Sequence, residues 1–180
     1  WFSGPCAFGH TRLSVMDPEN GKQPMVRRNE AGALFAVTYN GELYNAAELR
    51  RLLEQRGYPF YTTCDTEVLL YSYIEWGEAC VDRFNGIYAF AVWDDARQTC
   101  FLARDRLGVK PLFYVETEGA LLFASEPKAI LAHPDFRAEV DAEGLAEVFA
   151  LGPARTPGHG VYRNLHELKP GYCARFDKKG

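Results

Sequence analysis

The chain has 180 residues, 47% hydrophobic and 24% charged, with a formal net charge of −4 at pH 7. That is enough for one well-packed domain, and with no basic run beyond Arg27-Arg28 and Lys178-Lys179 it argues against a nucleic-acid partner. No segment approaches a membrane span and no signal-peptide pattern opens the chain, so the cytoplasm is the expected compartment.

Two apolar strands are expected first, over 6–15 (CAFGHTRLSV) and 33–39 (ALFAVTY), separated by a polar loop holding Asp17-Pro18, Asn20-Gly21 and Pro24. Residues 45–55 read as a helix. Asn45 and Glu48 sit at capping-box spacing, Leu49, Leu52 and Leu53 form an i, i+3, i+4 stripe, and Gly57 offers a stop. Residues 65–76 (DTEVLLYSYIEW) form a second helix, apolar around most of its circumference and therefore expected to be buried. Strands at 86–94 and 99–103 make a hairpin around Asp95-Ala96-Arg97, and 112–115 with 120–124 make another. Helical segments follow near 126–132 and 142–151. A Pro/Gly-rich stretch covers 152–160, and a last strand is expected within 171–176. Hairpin-connected strands interspersed with helices make the fold class α+β, with antiparallel sheets and helices on their outer faces.

Four polar spots sit where apolar elements end, which is where functional groups tend to be displayed. Arg12 lies within GHTRLSV and can hold a small carboxylate by a bidentate pair, or simply meet a neighbouring acid. Asn40-Gly41-Glu42 ends an apolar run. An amide side chain beside a backbone N–H unobstructed by a side chain could stabilise an oxyanion, though Asn-Gly is also an ordinary turn. Asp65 opens a helix, where it can cap orphan N–H groups, bind an ammonium, or do both. The run 103–112 (ARDRLGVKPL) is better suited to organising a connection by ion pairs. His10, His133, His159 and His166 lack metal-ligand spacing. The five cysteines (Cys6, Cys64, Cys80, Cys100, Cys173) have no C-x-x-C pair, so no metal site and no disulfide framework is expected.

Taken in order, GHTRLSV, NGELYN, DTEVLL, FNGIYAFAVWD, ARDRLGVKPLFY and FASEPKAIL resemble the glutaminase domain of asparagine synthetases, a class II glutamine amidotransferase of the N-terminal-nucleophile hydrolases. The resemblance runs from about residue 8 to 131, and more loosely through GPARTPGHGVYRNLHELKPG. Leu13-Ser14 after Arg12, with Tyr39 and Tyr44 around the Asn-Gly, narrows it to that branch. It implies a four-layer αββα sandwich of two stacked antiparallel sheets. It also implies that Asn40 and the Gly41 N–H form the oxyanion hole and that Arg12 takes the α-carboxylate of glutamine. Glu42 and Asp65 would hold the amino-acid head, with backbone around Val15 and Met16 lining the same pocket. On this reading the strand stops at Asn-Gly so that those atoms face the substrate.

One departure stands out. The family's nucleophile is an N-terminal Cys, whereas residue 1 is Trp and none of the five cysteines fits that role. The chain is therefore expected to be an incomplete domain, inactive as given, with several tens of residues, the nucleophile among them, upstream. Residues from about 152 to 180 would approach the junction to a C-terminal synthetase domain. That domain would bind ATP and Mg²⁺ and amidate aspartate; no cofactor is expected within 1–180, and the family admits a homodimer. Two alternatives stay open: an amidotransferase with another acceptor, or a glutamine-binding module without catalysis. Codons upstream reading Met-Cys-Gly would favour an enzyme.

Overall fold

The computed structural model describes residues 1–12, 17–152, 154 and 156–177. In chain order the strands are β1 (Phe2–Ser3), β2 (Cys6–Ala7), β3 (Met25–Arg28), β4 (Leu34–Leu43), β5 (Gly86–Asp94), β6 (Thr99–Arg104), β7 (Phe113–Thr117), β8 (Ala120–Ala124), β9 (His166–Glu167) and β10 (Cys173–Phe176). The α-helices are α1 (Ala46–Gln55), α2 (Asp65–Trp76), α3 (Pro127–Leu131) and α4 (Ala142–Leu151).

Alternation along β5 divides the interior. Tyr88, Phe90 and Val92 point to one face and join a core with Leu49 and Leu53 of α1 and Val68, Leu69 and Leu70 of α2. Ala89, Ala91 and Trp93 point to the other and join Leu102, Leu112, Phe8 and the partly buried Tyr114, Leu121 and Phe123. Small residues at 89 and 91 leave room for a second sheet to approach there. The first sheet has the order β10-β6-β5-β4-β3 and the second β8-β7-β9, every paired neighbour antiparallel. Phe113 and Val115, alternating with Tyr114 on β7, face a third core with Ile130 of α3 and Leu165. Each fully buried Phe contributes on the order of 1.5–3 kcal/mol, so the rings of Phe84, Phe90, Phe101 and Phe113 anchor these layers.

Several expectations need correction. Of the strand expected over 6–15, the described residues 6–12 keep only β2, which pairs with β1. The Phe8 N–H donates to the Trp1 carbonyl and closes that hairpin, and residues 9–12 run on without a ladder. The polar loop holds a strand: β3 pairs with the first part of β4, from Met25 opposite Val37 to Arg28 opposite Leu34. Asn45 precedes α1, but its side chain makes no cap bond. Its Nδ2 donates to the Arg83 carbonyl and its Oδ1 accepts from the Asn85 N–H, tying the helix start to the entry of β5.

The strand does not stop at Asn-Gly either. β4 continues to Leu43, with Asn40 opposite Ala89 and Gly41 opposite Tyr88. It cannot turn there because β5 supplies a partner for every residue up to Leu43. What changes near Asn40 is the other edge, where β3 has ended.

Candidate functional site

On β4, carbonyl and N–H of one residue point to one side and those of the next to the other. Leu34 accepts from Asp95 and the Tyr44 N–H, just beyond the strand, donates to Asn85, so even positions face β5. Odd positions face the β3 side. There the Tyr39 N–H donates to Gln23 Oε1 at 2.7 Å, and Gln23 Nε2 donates back to the Tyr39 carbonyl at 2.9 Å. Two odd positions on, the Leu43 N–H donates to Asp65 Oδ2 at 3.0 Å. Gly41 lies between them, and its N–H points to a stretch of edge that no described strand or side chain covers. Asn40, on the face toward the second sheet, offers its side-chain amide beside it, and no described residue accepts from that nitrogen.

Glycine is required at 41 by space, not by a left-handed φ. A Cβ there would fall 2.2 Å from the Ile87 carbonyl oxygen and 2.8 Å from both Tyr88 Cα and the Tyr39 ring. The missing side chain therefore lets β4 lie close against β5, and does not simply clear a cleft. Gly41→Ala is expected to lower stability by about 1–3 kcal/mol, read as a fall in the urea midpoint; an unchanged midpoint would show that β4 and β5 separate freely.

Asp65 is 6% exposed and occupies the first turn of α2, after Cys64 at the cap position. Its Oδ2 accepts from Leu43 and from the Tyr39 hydroxyl at 2.8 Å, so it is held by β4 and does not cap its own helix. Burial, and then the Asp65 charge, push the Tyr39 phenol far above its ordinary value, which keeps it a hydroxyl donor. No described residue donates to Asp65 Oδ1.

Arg12 bridges a different span. Its Nη2 donates to the Asp17 carbonyl at 3.0 Å and its Nη1 to that of Pro18 at 3.4 Å. The guanidinium rests against Gly21, where a Cβ would come within 2.5 Å of Nη2. Asp17 holds this loop in turn: Oδ2 accepts from the Thr63 N–H at 2.8 Å and Oδ1 from the Asn20 N–H at 3.0 Å, drawing its carboxyl below the usual range. Thr63 lies just ahead of α2, so Asp17 ties the loop of Arg12 to the start of the helix bearing Asp65. His10 meets Thr38 Oγ1 at 3.1 Å, and burial, then the neighbouring Arg12 charge, lower its pKa.

These groups share one cavity of about 840 Å³, whose wall includes Arg12, Asn40, Gly41, Glu42 and Asp65. Val15 and Met16, expected in the same wall, lie outside the described residues. Of the cysteines, Cys64 reaches the wall, but it is 1% exposed and its Sγ is engaged with Thr62 Oγ1 at 2.9 Å. Burial raises the Cys6 thiol to about 12 and that of Cys173 to about 11, so neither is poised as a nucleophile.

A family profile described as a glutamine amidotransferase domain matches residues 1–180. The chain belongs to the glutamine amidotransferase domain family. It is 54% identical over 180 residues to the glutamine-hydrolysing asparagine synthetase 3 of Bacillus subtilis (strain 168), covering all of this chain and 29% of that protein. It is 33% identical over 189 residues to the human glutamine-hydrolysing asparagine synthetase, covering 93% of this chain and 33% of that one. The domain thus spans about a third of these relatives. Among solved structures it matches the glutamine phosphoribosylpyrophosphate amidotransferase of B. subtilis, complexed with ADP and GMP, at TM-score 0.61 and 25% identity, over 88% of this chain and 30% of that one.

For this amidotransferase domain, sequence reasoning missed Gln23, Asp17 and Gly21. Gln23 sat in a stretch read as loop, and the first of its partners lies 16 positions away. The polar loop and its Asp17-Pro18 step were visible, but nothing local reveals that Asp17 reaches Thr63. The described residues hold no helix long and apolar enough to cross a membrane and no group of three or more His, Cys, Asp or Glu arranged for a metal ion.

Proposed function

We propose that the cavity binds glutamine and that the domain is the glutaminase half of a glutamine-dependent asparagine synthetase, with the layered fold of the N-terminal-nucleophile hydrolases. Glutamine is a zwitterion carrying a neutral amide at its far end. A specific site needs a cation, an anion and a pair of neutral donors at a distance. Arg12 takes the α-carboxylate. Asp65, with its free Oδ1, takes the ammonium, helped by Glu42. The Asn40 amide and the Gly41 N–H receive the amide oxygen as it gains charge. The observation that carries this reading is the Gly41 N–H, uncovered among the described residues and set between edge positions closed by Gln23 and Asp65 on the wall that also holds Arg12 and Asn40.

On this reading the thiol that attacks the amide carbon is that of an N-terminal Cys, a role that none of the five cysteines here fits. Its sulfur forms a γ-glutamyl thioester as ammonia leaves, and water then releases glutamate. Ammonia passes to a synthetase domain, where ATP, Mg²⁺ and aspartate bind; a cytoplasmic setting and a homodimer are compatible with this.

Titrating the domain with glutamine while following its backbone amides tests the binding step. Shifts should centre on Gly41, Asp65 and Arg12, and a site elsewhere would overturn the assignment. Tyr39→Phe, which removes one of the two donors to Asp65 Oδ2, is expected to raise KM for glutamine about fivefold with kcat nearly unchanged, consistent with about 1 kcal/mol for one hydrogen bond. An unaltered KM would release Asp65 from the ammonium role.

A further inference from the structure

The ladder between β3 and β4 ends at Met25 opposite Val37, so the next same-side position, Tyr39, would fall opposite Gln23. The backbone does not make that pair. The Gln23 side chain takes its place. Its amide accepts at 2.7 Å and donates at 2.9 Å to both groups of Tyr39, as a strand residue would, and reaches Thr66 Oγ1 at 3.5 Å. Side-chain pairing of this kind does not propagate. A β3 continued as far as Gly21, which that register sets opposite Gly41, would instead cover it. Gln23 thus fixes the β4 edge two residues before Gly41, while Asp65 fixes it two residues after.

Resting on the glutaminase reading above, we propose that Gln23 is a positioning residue for the oxyanion hole, terminating the ladder so that the Gly41 N–H is both exposed and rigidly aimed. It lines the same cavity, but its amide oxygen and nitrogen are both engaged by the Tyr39 main chain. It acts through Tyr39, which is held at both ends, by Gln23 on the main chain and by Asp65 on the hydroxyl.

The test uses the native full-length protein and compares two inhibitors. Glutamate resembles the product head and makes no oxyanion. The γ-aldehyde analogue of glutamine accepts the thiolate at its aldehyde carbon; a carbon–sulfur bond forms and the carbonyl electron pair moves onto oxygen, which then sits in the hole. Gln23→Ala is expected to raise the aldehyde Ki about tenfold or more while leaving the glutamate Ki within about twofold, since a small misplacement of an oxyanion donor forfeits much of its effect. The ratio does not depend on how much of a preparation is folded. If Gln23→Ala does not fold, Gln23→Glu keeps the acceptor for Tyr39 N–H, sets a carboxylate oxygen against the Tyr39 carbonyl, and should change the ratio in the same direction. Two inhibition constants that move together, or neither moving, in a protein that still hydrolyses glutamine would overturn the role of Gln23. A wild-type protein with no glutaminase activity would overturn the functional reading itself, a separate failure.

Discussion

Replacing Asn40 by alanine in the native protein should cut kcat for glutamine hydrolysis by about 10²–10³ while moving KM little, because an oxyanion donor acts mainly as charge develops on the amide oxygen. Arg12→Ala should do the reverse. A charge-assisted bond to the α-carboxylate is made equally in ground and transition states, and its loss, about 1.5–3 kcal/mol, raises KM by roughly 10–200-fold. Arg12 also holds the carbonyls of Asp17 and Pro18, so its removal loosens the loop anchored on Thr63. Arg12→Lys separates the two effects. It keeps a cation for the carboxylate but loses the fork that spans both carbonyls. Steady-state kinetics with glutamine as the varied substrate decide the matter. If both alanine variants merely raised KM, Asn40 would be a binding group and the edge of β4 would have no catalytic part.

The sequence made α2 and β5 legible at their observed bounds because each is decided by its own residues. The DTEVLLYSYIEW stretch is apolar nearly all round, and Gly77 with φ +61 ends it. GIYAFAVWD alternates large and small apolar residues on a strand buried on both faces. Failures came where a distant partner decides. Asn45 had the spacing of a capping box, but Arg83 and Asn85 offered its amide a stronger use. Arg27, seen in the sequence only as half of a short basic pair, has its guanidinium on Glu67, fully buried, across 40 positions, and that pair helps seat β3 against α2. Among the candidate site residues, the structure brings Arg12, Asn40, Gly41 and Asp65 to one cavity wall, and how they are held there was not readable. The roles of Arg12, Asn40, Gly41 and Asp65 came from the resemblance, not from the residue types alone. That β3 ends before Gly41, whose N–H has no partner among the described residues, and that the Tyr39 hydroxyl donates to Asp65, are facts about pairing between elements, which no local pattern encodes.

The largest loss of stability is expected at Asp105, in the ARDRLGVKPL run. This carboxylate is 1% exposed and accepts four backbone N–H groups: Leu107 and Val109 on Oδ1, Lys110 and Tyr88 on Oδ2, at 3.0–3.3 Å. Its own N–H donates to the Tyr88 carbonyl at 2.7 Å and its carbonyl accepts from Gly108 and Gly171. One residue thus fastens the turn after β6 to β5 and to the approach of β10. Tyr88 is the residue paired with Gly41, so the same hub braces the candidate oxyanion hole from behind. Asp105→Ala leaves several buried donors unmatched and should cost about 3–5 kcal/mol in urea unfolding at pH 7. Burial alone would raise this carboxyl, but the four donors more than offset it and its pKa falls below the ordinary value. The unfolded chain therefore binds the proton more tightly than the folded one, and the carboxylate's contribution is complete above the unfolded value of about 3.9 and declines as pH drops through the lower folded value. The stability gap between wild type and Asp105→Asn, which cannot titrate, should accordingly be constant from pH 7 to about 5 and close as the medium is acidified below about 4. A gap that stayed the same down to pH 2.5 would show that the charge on Asp105 is immaterial and that shape alone holds the turn.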